Sequence, residues 1–460
     1  MRRDELDFLG EAFDPARVGA LVANHLRPAG HPPIAVTACE LAFARRGEGR
    51  QLFQYRVRVR NGNNGAERDE LVTALAYAQQ NTERLWSTLQ ARLPPERGAG
   101  AGLAPAAYVP GLDILLQTFP FDHRLAALAP IMTGRLPELA DALCDRFGPD
   151  EWRLAAWEAM SVRYRVDLRA TVRTTLAARS AATGASAERR FFVKIYADSE
   201  LAETAWDAQR RLAQALPVAE PTLAFAPLAA YLPAARVLAH DEVSGAALDE
   251  LIGDGERALD AVRLTARALA ALHRLDVVIG ERPQMNRVAP ERLEGSVARL
   301  QAARPDLATT AMAVAAGIDA RLAEIGETPA APIHGDLKPA HIRLDGSRVV
   351  LLDLDKAATG EPMRDIVDLL IRFGRGLAGK RQTRLSRLRR PLIETYFAYA
   401  PPTWERRLPP HYAAALLREA AAASESARGG DGSRPGRRIN RTDYPGRLLE
   451  TAQAALTGDA

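Results

Sequence analysis

Two cysteines, Cys39 and Cys144, are all that the 460 residues contain. They are too few for a disulfide framework, and neither sits in a C-x-x-C or Cys/His ligand spacing, so a reducing compartment is expected. Long apolar runs are also missing. Nowhere do eighteen apolar residues follow one another, and the opening MRRDELDFLGEAF carries acids where an export signal needs its apolar stretch. The expectation is a cytoplasmic protein with no membrane span and no membrane partner. Charge asymmetry is small: 61 lysines and arginines face 57 aspartates and glutamates. A dedicated nucleic-acid binder would be more lopsided, so no nucleic-acid partner is expected.

What is present is an apolar fraction of 47%, ample for a multidomain globular chain. QLFQYRVRVR (51–60) alternates Phe53, Tyr55, Val57 and Val59 with polar residues, the period of a half-buried strand. NGNNG breaks the chain, LVTALAYA (71–78) follows, and a helical stretch around Glu83–Leu93 ends in the loop PPERGAGAGLAP. Residues 124–157 read as linking helices. Strands are expected at 168–177 and 191–197 and a helix at about 199–215. Beyond Gly245 long Ala/Leu/Arg helices dominate, interrupted by a strand-rich segment at 332–355. Strands first and helices afterwards predict an α+β protein with two lobes. The Gly/Ser/Arg-rich segment 424–441 reads as a solvated loop, with a flexible flap or anion-binding tail as its functional alternative.

The most informative stretch is APIHGDLKPAHIRLDGSRVVLLDLDKAATGEPMRDIVDLL, residues 331–370. A loop bearing one acid is joined to a second acid by a short hairpin, expected to turn at Asp345-Gly346. Phosphoryl transfer needs that layout, because one carboxylate receives the substrate hydroxyl's proton while another holds the metal that neutralises the phosphates. HGDLKPAH resembles the catalytic loop of the aminoglycoside phosphotransferase and choline kinase superfamily, itself related to the HRDLKPxN loop of protein kinases. LLDLDKAATGEPMRD resembles that superfamily's metal-binding segment.

The resemblance implies a protein-kinase-like two-lobed fold using ATP with Mg²⁺ or Mn²⁺. It implies Asp336 as the base, Lys338 beside the transferred phosphate, Asp353 as the principal metal ligand, Asp355 as its helper, and Asp365 as the residue that orients the loop. His341 stands where the family usually has the asparagine that holds a second metal. An imidazole there suits Mn²⁺ or another transition metal better than Mg²⁺. His334 is read as a support of the loop, and His273, in LAALHRL, as a buried structural histidine.

On the nucleotide side FFVKIYA supplies Lys194 for the phosphates. Glu203 is the first candidate to hold that lysine, with Glu200 and Asp207 as alternatives. The covering turn falls in SVRYRVDLRATVR, which has no glycine. Val166-Asp167 stand where similar sequences carry Pro-Gly, so contacts from Arg165 or Arg169 are expected to replace backbone amides. The hinge is expected at His240–Val243, with Glu242 as a nucleotide contact.

The first 125 residues repeat these landmarks. Arg46, Glu48 and Arg50 match Arg165, Asp167 and Arg169; Tyr77-Ala78 matches Tyr196-Ala197; Glu83-x-x-Trp86 matches Glu203-x-x-Trp206; and YVPGLDIL from Tyr108 matches YLPAARVL from Tyr231. The offsets run only from 119 to 123 (169 − 50 and 231 − 108). The organisation expected is therefore an additional N-lobe-like α+β unit at 1–125, a helical linker at 126–157, a kinase-like N-lobe at 158–243 and a helical catalytic C-lobe at 244–460. Leu75 falls where Lys194 stands in the second copy.

Two functions remain open at this point: an ATP-dependent phosphotransferase acting on a hydroxyl of a small molecule, and a pseudokinase-like nucleotide-binding or regulatory protein without turnover. The chemistry of the acceptor is also open. Arg372, Arg375, Lys380, Arg381, Arg384, Arg387, Arg389 and Arg390 read either as a solvated helix face or as a surface for an acidic or already phosphorylated substrate.

Overall fold

The computed structural model describes residues 13–28, 34–47, 49–61, 66–77, 81–93, 102–218, 220–253, 255–280, 288–326, 330–374, 380–428 and 444–458. The chain divides into two compact units, Met1–Ser199 with Ala229–Ala239, and Glu200–Leu228 with His240–Ala460.

The first unit opens with α1 (Pro15–His25), whose N-terminus is capped by Asp14 accepting from the amides of Ala16 and Arg17. It continues through β1 (Ile34–Gly47), β2 (Arg50–Asn61), β3 (Glu67–Tyr77), α2 (Asn81–Leu89), β4 (Ala106–Val109) and β5 (Ile114–Thr118). These strands form one sheet in the order β1-β2-β3-β5-β4. Phe53, Tyr55, Val57 and Val59 share a face as their alternation predicts, and pack with Val18 and Val22 of α1 and with Leu26 just after it.

Two short helices follow, α3 (Leu128–Met132) and α4 (Pro137–Cys144), then β6 (Trp152–Arg165), β7 (Arg169–Ser180), β8 (Ser186–Tyr196), α5 (Ser199–Ala215), β9 (Leu223–Phe225), β10 (Leu228–Leu232) and β11 (Val237–Asp241). The second sheet reads β6-β7-β8-β11-β10, the order of the first. Its core joins Val172, Phe191, Val193 and Ile195 to Leu128, Ile131, Leu139 and Leu143 of α3 and α4. The start of β6 corrects the expectation of helix up to residue 157. Ala155, Ala156, Glu158 and Met160 favour helix, but the strand pairs with β7 from Trp152 to Arg165, and that ladder overrides local propensity.

The repeat extends to irregularities of the backbone. Register shifts fall at Val36/Ala38 and Leu41/Phe43 in β1, and at Leu154/Ala156 and Ser161/Arg163 in β6. Asp113 and Arg236, 123 residues apart, both adopt a left-handed conformation, with φ of 50° and 54°. Few non-glycine residues do so, and a matching pair at the offset of the Tyr108 and Tyr231 motifs marks two copies of one design. The landmarks Glu48 and Ala78 lie outside the described residues.

The copies differ on the face away from their preceding helices. In the first sheet Leu52, Leu75 and Leu115 form an apolar cluster with Leu89 of α2, Ala106 and Val166, and Val166 comes from the turn between β6 and β7. In the second sheet that face carries Lys194.

The second unit, to which α5 and β9 belong, adds β12 (Ala246–Ala247), α6 (Leu248–Leu251), α7 (Gly255–His273), α8 (Pro290–Ala303), α9 (Ala308–Ile325), β13 (Ala331–Ile333), β14 (Ile342–Asp345), β15 (Arg348–Leu351), β16 (Ala358–Gly360), α10 (Met363–Gly374), α11 (Lys380–Phe397), α12 (Leu408–Arg428) and α13 (Tyr444–Thr457). Strands β12-β14-β15-β9 form one small sheet, and β13 pairs with β16. One core packs α7, α10 and α11 against β9 and β15, and another joins α8, α9, α12 and α13. Among the described residues, no helix is long and apolar enough to cross a membrane. Most of the Gly/Ser/Arg-rich segment, 429–443, lies outside them.

Candidate active site

In the second unit β13 leads into the loop His334–Lys338, and the backbone there leaves one residue no choice. Gly335 has φ +80°, and a Cβ on it would lie 2.2 Å from the carbonyl oxygen of Lys356, so only glycine allows the two segments to approach. Asp365 of α10 fixes the same loop. Its carboxylate accepts from the amides of His334 at 2.6 Å and Gly335 at 3.0 Å, and from Nε2 of His273 at 3.2 Å. Tyr396 in turn holds Nδ1 of His273 through its hydroxyl at 2.8 Å. Burial alone would raise the Asp365 carboxyl, but the His273 contact and the amides hold it down at about 2.

The fixed loop presents Asp336. Its Oδ2 lies 3.2 Å from Nζ of Lys338 and 3.2 Å from Nζ of Lys356, and its Oδ1 is 3.8 Å from Nη2 of Arg372. Burial pushes the carboxyl up, yet Lys356 and Lys338 together hold it below its ordinary value, so it stays ionised. Three cations around one carboxylate leave positive charge to spare, the electrostatic setting that an anionic transferred group requires. Arg364 donates to the Gly335 carbonyl, and Arg372 Nε to the Leu337 carbonyl at 3.2 Å, which locks the loop against α10.

The hairpin β14–β15 carries the chain to the second acid. Its two-residue turn is Gly346-Ser347, one position later than expected, because Asp345 still pairs with Arg348. Asp353 follows in a left-handed conformation, φ 58°, which swings its carboxylate to 3.4 Å from Nε2 of His341. Burial and then the neighbouring His334 push His341 down to about 3, so it is neutral. Its Nδ1 is buried without a hydrogen-bond partner. The rings of His334 and His341 stack at 5.6 Å, 19° apart. His334 donates Nε2–H to the Leu352 carbonyl at 2.8 Å, which leaves its Nδ1 to accept from the Asp336 amide at 3.4 Å.

An unprotonated imidazole beside a carboxylate is a donor pair that fits a divalent metal. Among the described residues no third carboxylate or imidazole joins that pair within 4.8 Å. Asp355 is buried in the turn after Asp353.

The remaining candidates occupy separate elements. Lys194, on β8 opposite Thr171, is only 8% exposed, so the ordinary solvent-facing role of a strand lysine does not apply. Glu203 is exposed on α5, and Glu242 follows β11. Asp207, an alternative partner for Lys194, is instead committed to Arg210 at 2.7 Å and Arg211 at 2.6 Å. Arg165 and Arg169 flank the β6–β7 turn.

Lys356 was not among the residues singled out in the sequence. Its signal was the position three residues after Asp353, inside the segment that resembles the superfamily's metal-binding one. Arg372 was noted only as one of a basic run, and the others resolve differently. Arg389 lies over the Tyr412 ring and Arg390 pairs with Glu394, while Arg375 and the side chains of Lys380, Arg381 and Arg384 lie outside the described residues.

The model of the family described as "Phosphotransferase enzyme family" matches residues 173–424, more than half of the chain. The chain belongs to that family. The match spans β8, the loop of Asp336 and the segment of Asp353, so the phosphotransferase carries the residues that suggested the resemblance within the matched region. No curated protein matches its sequence.

Among solved structures, the phosphotransferase is similar to a choline/ethanolamine kinase family protein from Mesorhizobium loti, at 16% identity over 61% of this chain and 84% of that one, with a TM-score of 0.41. It is also similar to an ethanolamine kinase of Plasmodium vivax, at 10% identity over 82% and 97% of the two chains, TM-score 0.41. An ADP-bound aminoglycoside phosphotransferase shares 12% identity over 66% and 95%, TM-score 0.39.

Proposed function

We propose that this phosphotransferase moves a phosphoryl group from ATP to a hydroxyl of a small molecule, and that the ionised Asp336 held between Lys338 and Lys356 is the observation that carries the reading. Asp336 receives the hydroxyl proton as the new P–O bond forms. Lys338, Lys356 and Arg372 stabilise the charge around the transferred group, and Lys194 pairs with the remaining phosphates, with Glu203 as the candidate to orient it. Asp353 and His341 would hold the metal, with Asp355 assisting. A divalent ion bound there neutralises phosphate charge. Glu242, beside the expected hinge, is assigned to the nucleotide. The arginine run keeps its two readings, a solvated helix face and a surface for an acidic or already phosphorylated acceptor. A cytoplasmic setting accords with the two unpaired cysteines.

The test is incubation with ATP and Mg²⁺ or Mn²⁺ against a panel of hydroxyl metabolites, reading ADP release that depends on the acceptor. A second reading, nucleotide binding without turnover, is favoured by His341 in the usual asparagine position and by the glycine-free turn. Tight nucleotide binding with no acceptor-dependent ADP release, equal in wild type and Asp336→Asn, would establish it.

A further inference from the structure

The turn between β6 and β7 is the segment from which this family member would cover a nucleotide, and it is engaged elsewhere. Val166 is 2% exposed in the apolar cluster of the first sheet, beside Leu52, Leu75 and Leu115. Asp167, with φ +62°, is fully buried. Its amide donates to Oδ2 of Asp122 at 2.9 Å, and its own Oδ2 accepts from Nη1 of Arg50 at 3.1 Å. Arg45 Nη2 donates to the Val166 carbonyl at 3.3 Å, and the Tyr164 hydroxyl to Asp122 Oδ2 at 2.9 Å. The next amide, Leu168, is bonded to the Arg165 carbonyl. Two amides that a phosphate could have used therefore already have acceptors.

Asp122, His123 and Asp167 could also be read as a metal site, since one ligand atom from each lies within 4.8 Å of the others. The donors already present argue against that reading. Asp122 Oδ1 accepts from the amides of Arg124 and Leu125, its Oδ2 from Tyr164 and Asp167, and the Arg50 guanidinium lies on Asp167. A cation would have to displace four hydrogen bonds beside a fixed positive charge. The cluster is built to hold the turn.

We propose that the first sheet is a permanent brace for the β6–β7 turn, with Arg50, Asp122 and Asp167 as positioning residues of the nucleotide site. Where a glycine-rich loop is ordered by the phosphates it covers, this turn is ordered beforehand by a second copy of its own sheet. Nucleotide then meets a rigid edge and is contacted there by side chains, not by free amides. The inference rests on the phosphotransfer reading for the identity of the ligand, but not for the brace itself.

Hydrogen exchange of residues 161–170 in the full chain, with and without ATP and Mg²⁺, is the test. In the wild type these amides should be protected without nucleotide and gain less than about twofold with it. Arg50→Met should speed their exchange and raise the ATP dissociation constant about tenfold, with turnover at saturating ATP unchanged, while Arg50→Lys restores part of the affinity. Asp122→Asn, which keeps shape and removes charge, should act in the same direction. Protection that arises only with nucleotide would overturn the proposal, as would an Arg50→Met protein whose turn exchanges freely yet binds ATP as the wild type does. Absence of ATP binding to the wild type would remove the phosphotransfer reading, and the brace would then stand or fall on exchange in the nucleotide-free chain.

Discussion

Leu75 and Lys194 stand at one position of two like sheets: Leu75 pairs with Leu52 across β2–β3, Lys194 with Thr171 across β7–β8, and 194 − 75 equals 171 − 52. The first copy carries a fully buried leucine where the second carries the lysine proposed for the phosphates. Lys194→Ala is therefore expected to remove nearly all ATP binding by titration calorimetry. Leu75→Ala should instead lower stability by about 3 kcal/mol in urea unfolding, with nucleotide affinity little changed. Two nucleotides bound per chain would show that the first copy is a working site.

Asp336→Asn should reduce phosphoryl transfer by about three orders of magnitude while leaving nucleotide affinity within a few-fold, because the proposed proton acceptor is lost and the proposed metal pair is intact. Lys356→Met tests the cation that the sequence did not single out. It should lower turnover at saturating ATP, and unchanged turnover would limit Lys356 to a structural partner of Asp336.

His341→Asn should shift the metal preference of nucleotide binding from Mn²⁺ toward Mg²⁺, since an amide oxygen replaces an imidazole nitrogen. Titrating the two metals with a fluorescent ATP analogue measures it. An unchanged preference would leave His341 with its stacking role beside His334.

The brace has its own pH signature. Burial, with Asp122 adding to it, raises Asp167 to about 6, whereas burial lowers His123 to about 4. An acid raised on folding loses stability as pH climbs from its unfolded value near 4 to about 6. A histidine lowered on folding loses it as pH falls from about 6.5 to about 4. In the wild type the two slopes oppose each other, so stability should be nearly flat between pH 4 and 6. His123→Gln should leave a protein that weakens with rising pH across that window, and Asp167→Asn one that weakens with falling pH, each by about 2 kcal/mol. Urea midpoints at pH 4, 5 and 6 decide it, and parallel curves for both variants would refute the pairing.

Much of this was legible in the sequence because its signals are local. HGDLKPAH and LLDLDKAATGEPMRD each fix a short loop, and strict alternation at Phe53–Val59 fixes a strand face whatever surrounds it. The offset of about 120 residues disclosed the duplication because it survives in turn and helix-start residues. What stayed hidden depends on contacts distant in sequence. Trp152–Arg165 carries helix-favouring alanines and is a strand only because β7 lies beside it. Lys356 meets a carboxylate twenty residues away, and Asp167, read only as part of the pair standing where similar sequences carry Pro-Gly, is buried against Arg50, 117 residues earlier.

Val166 gives the duplication a consequence for how the chain is assembled and how it could be cut. Because this residue of the second sheet completes an apolar cluster of the first, the two sheets should melt in one transition instead of two. A chain begun after residue 125, which by repeat logic should retain a whole kinase-like protein, would expose Val166 to water and strip Asp167 of its counter-charge. Such a fragment is expected to aggregate during expression, and to be rescued by supplying residues 1–125 as a separate polypeptide. Such a rescue would make the first sheet an internal chaperone-like subunit, covalently attached to the copy it keeps folded.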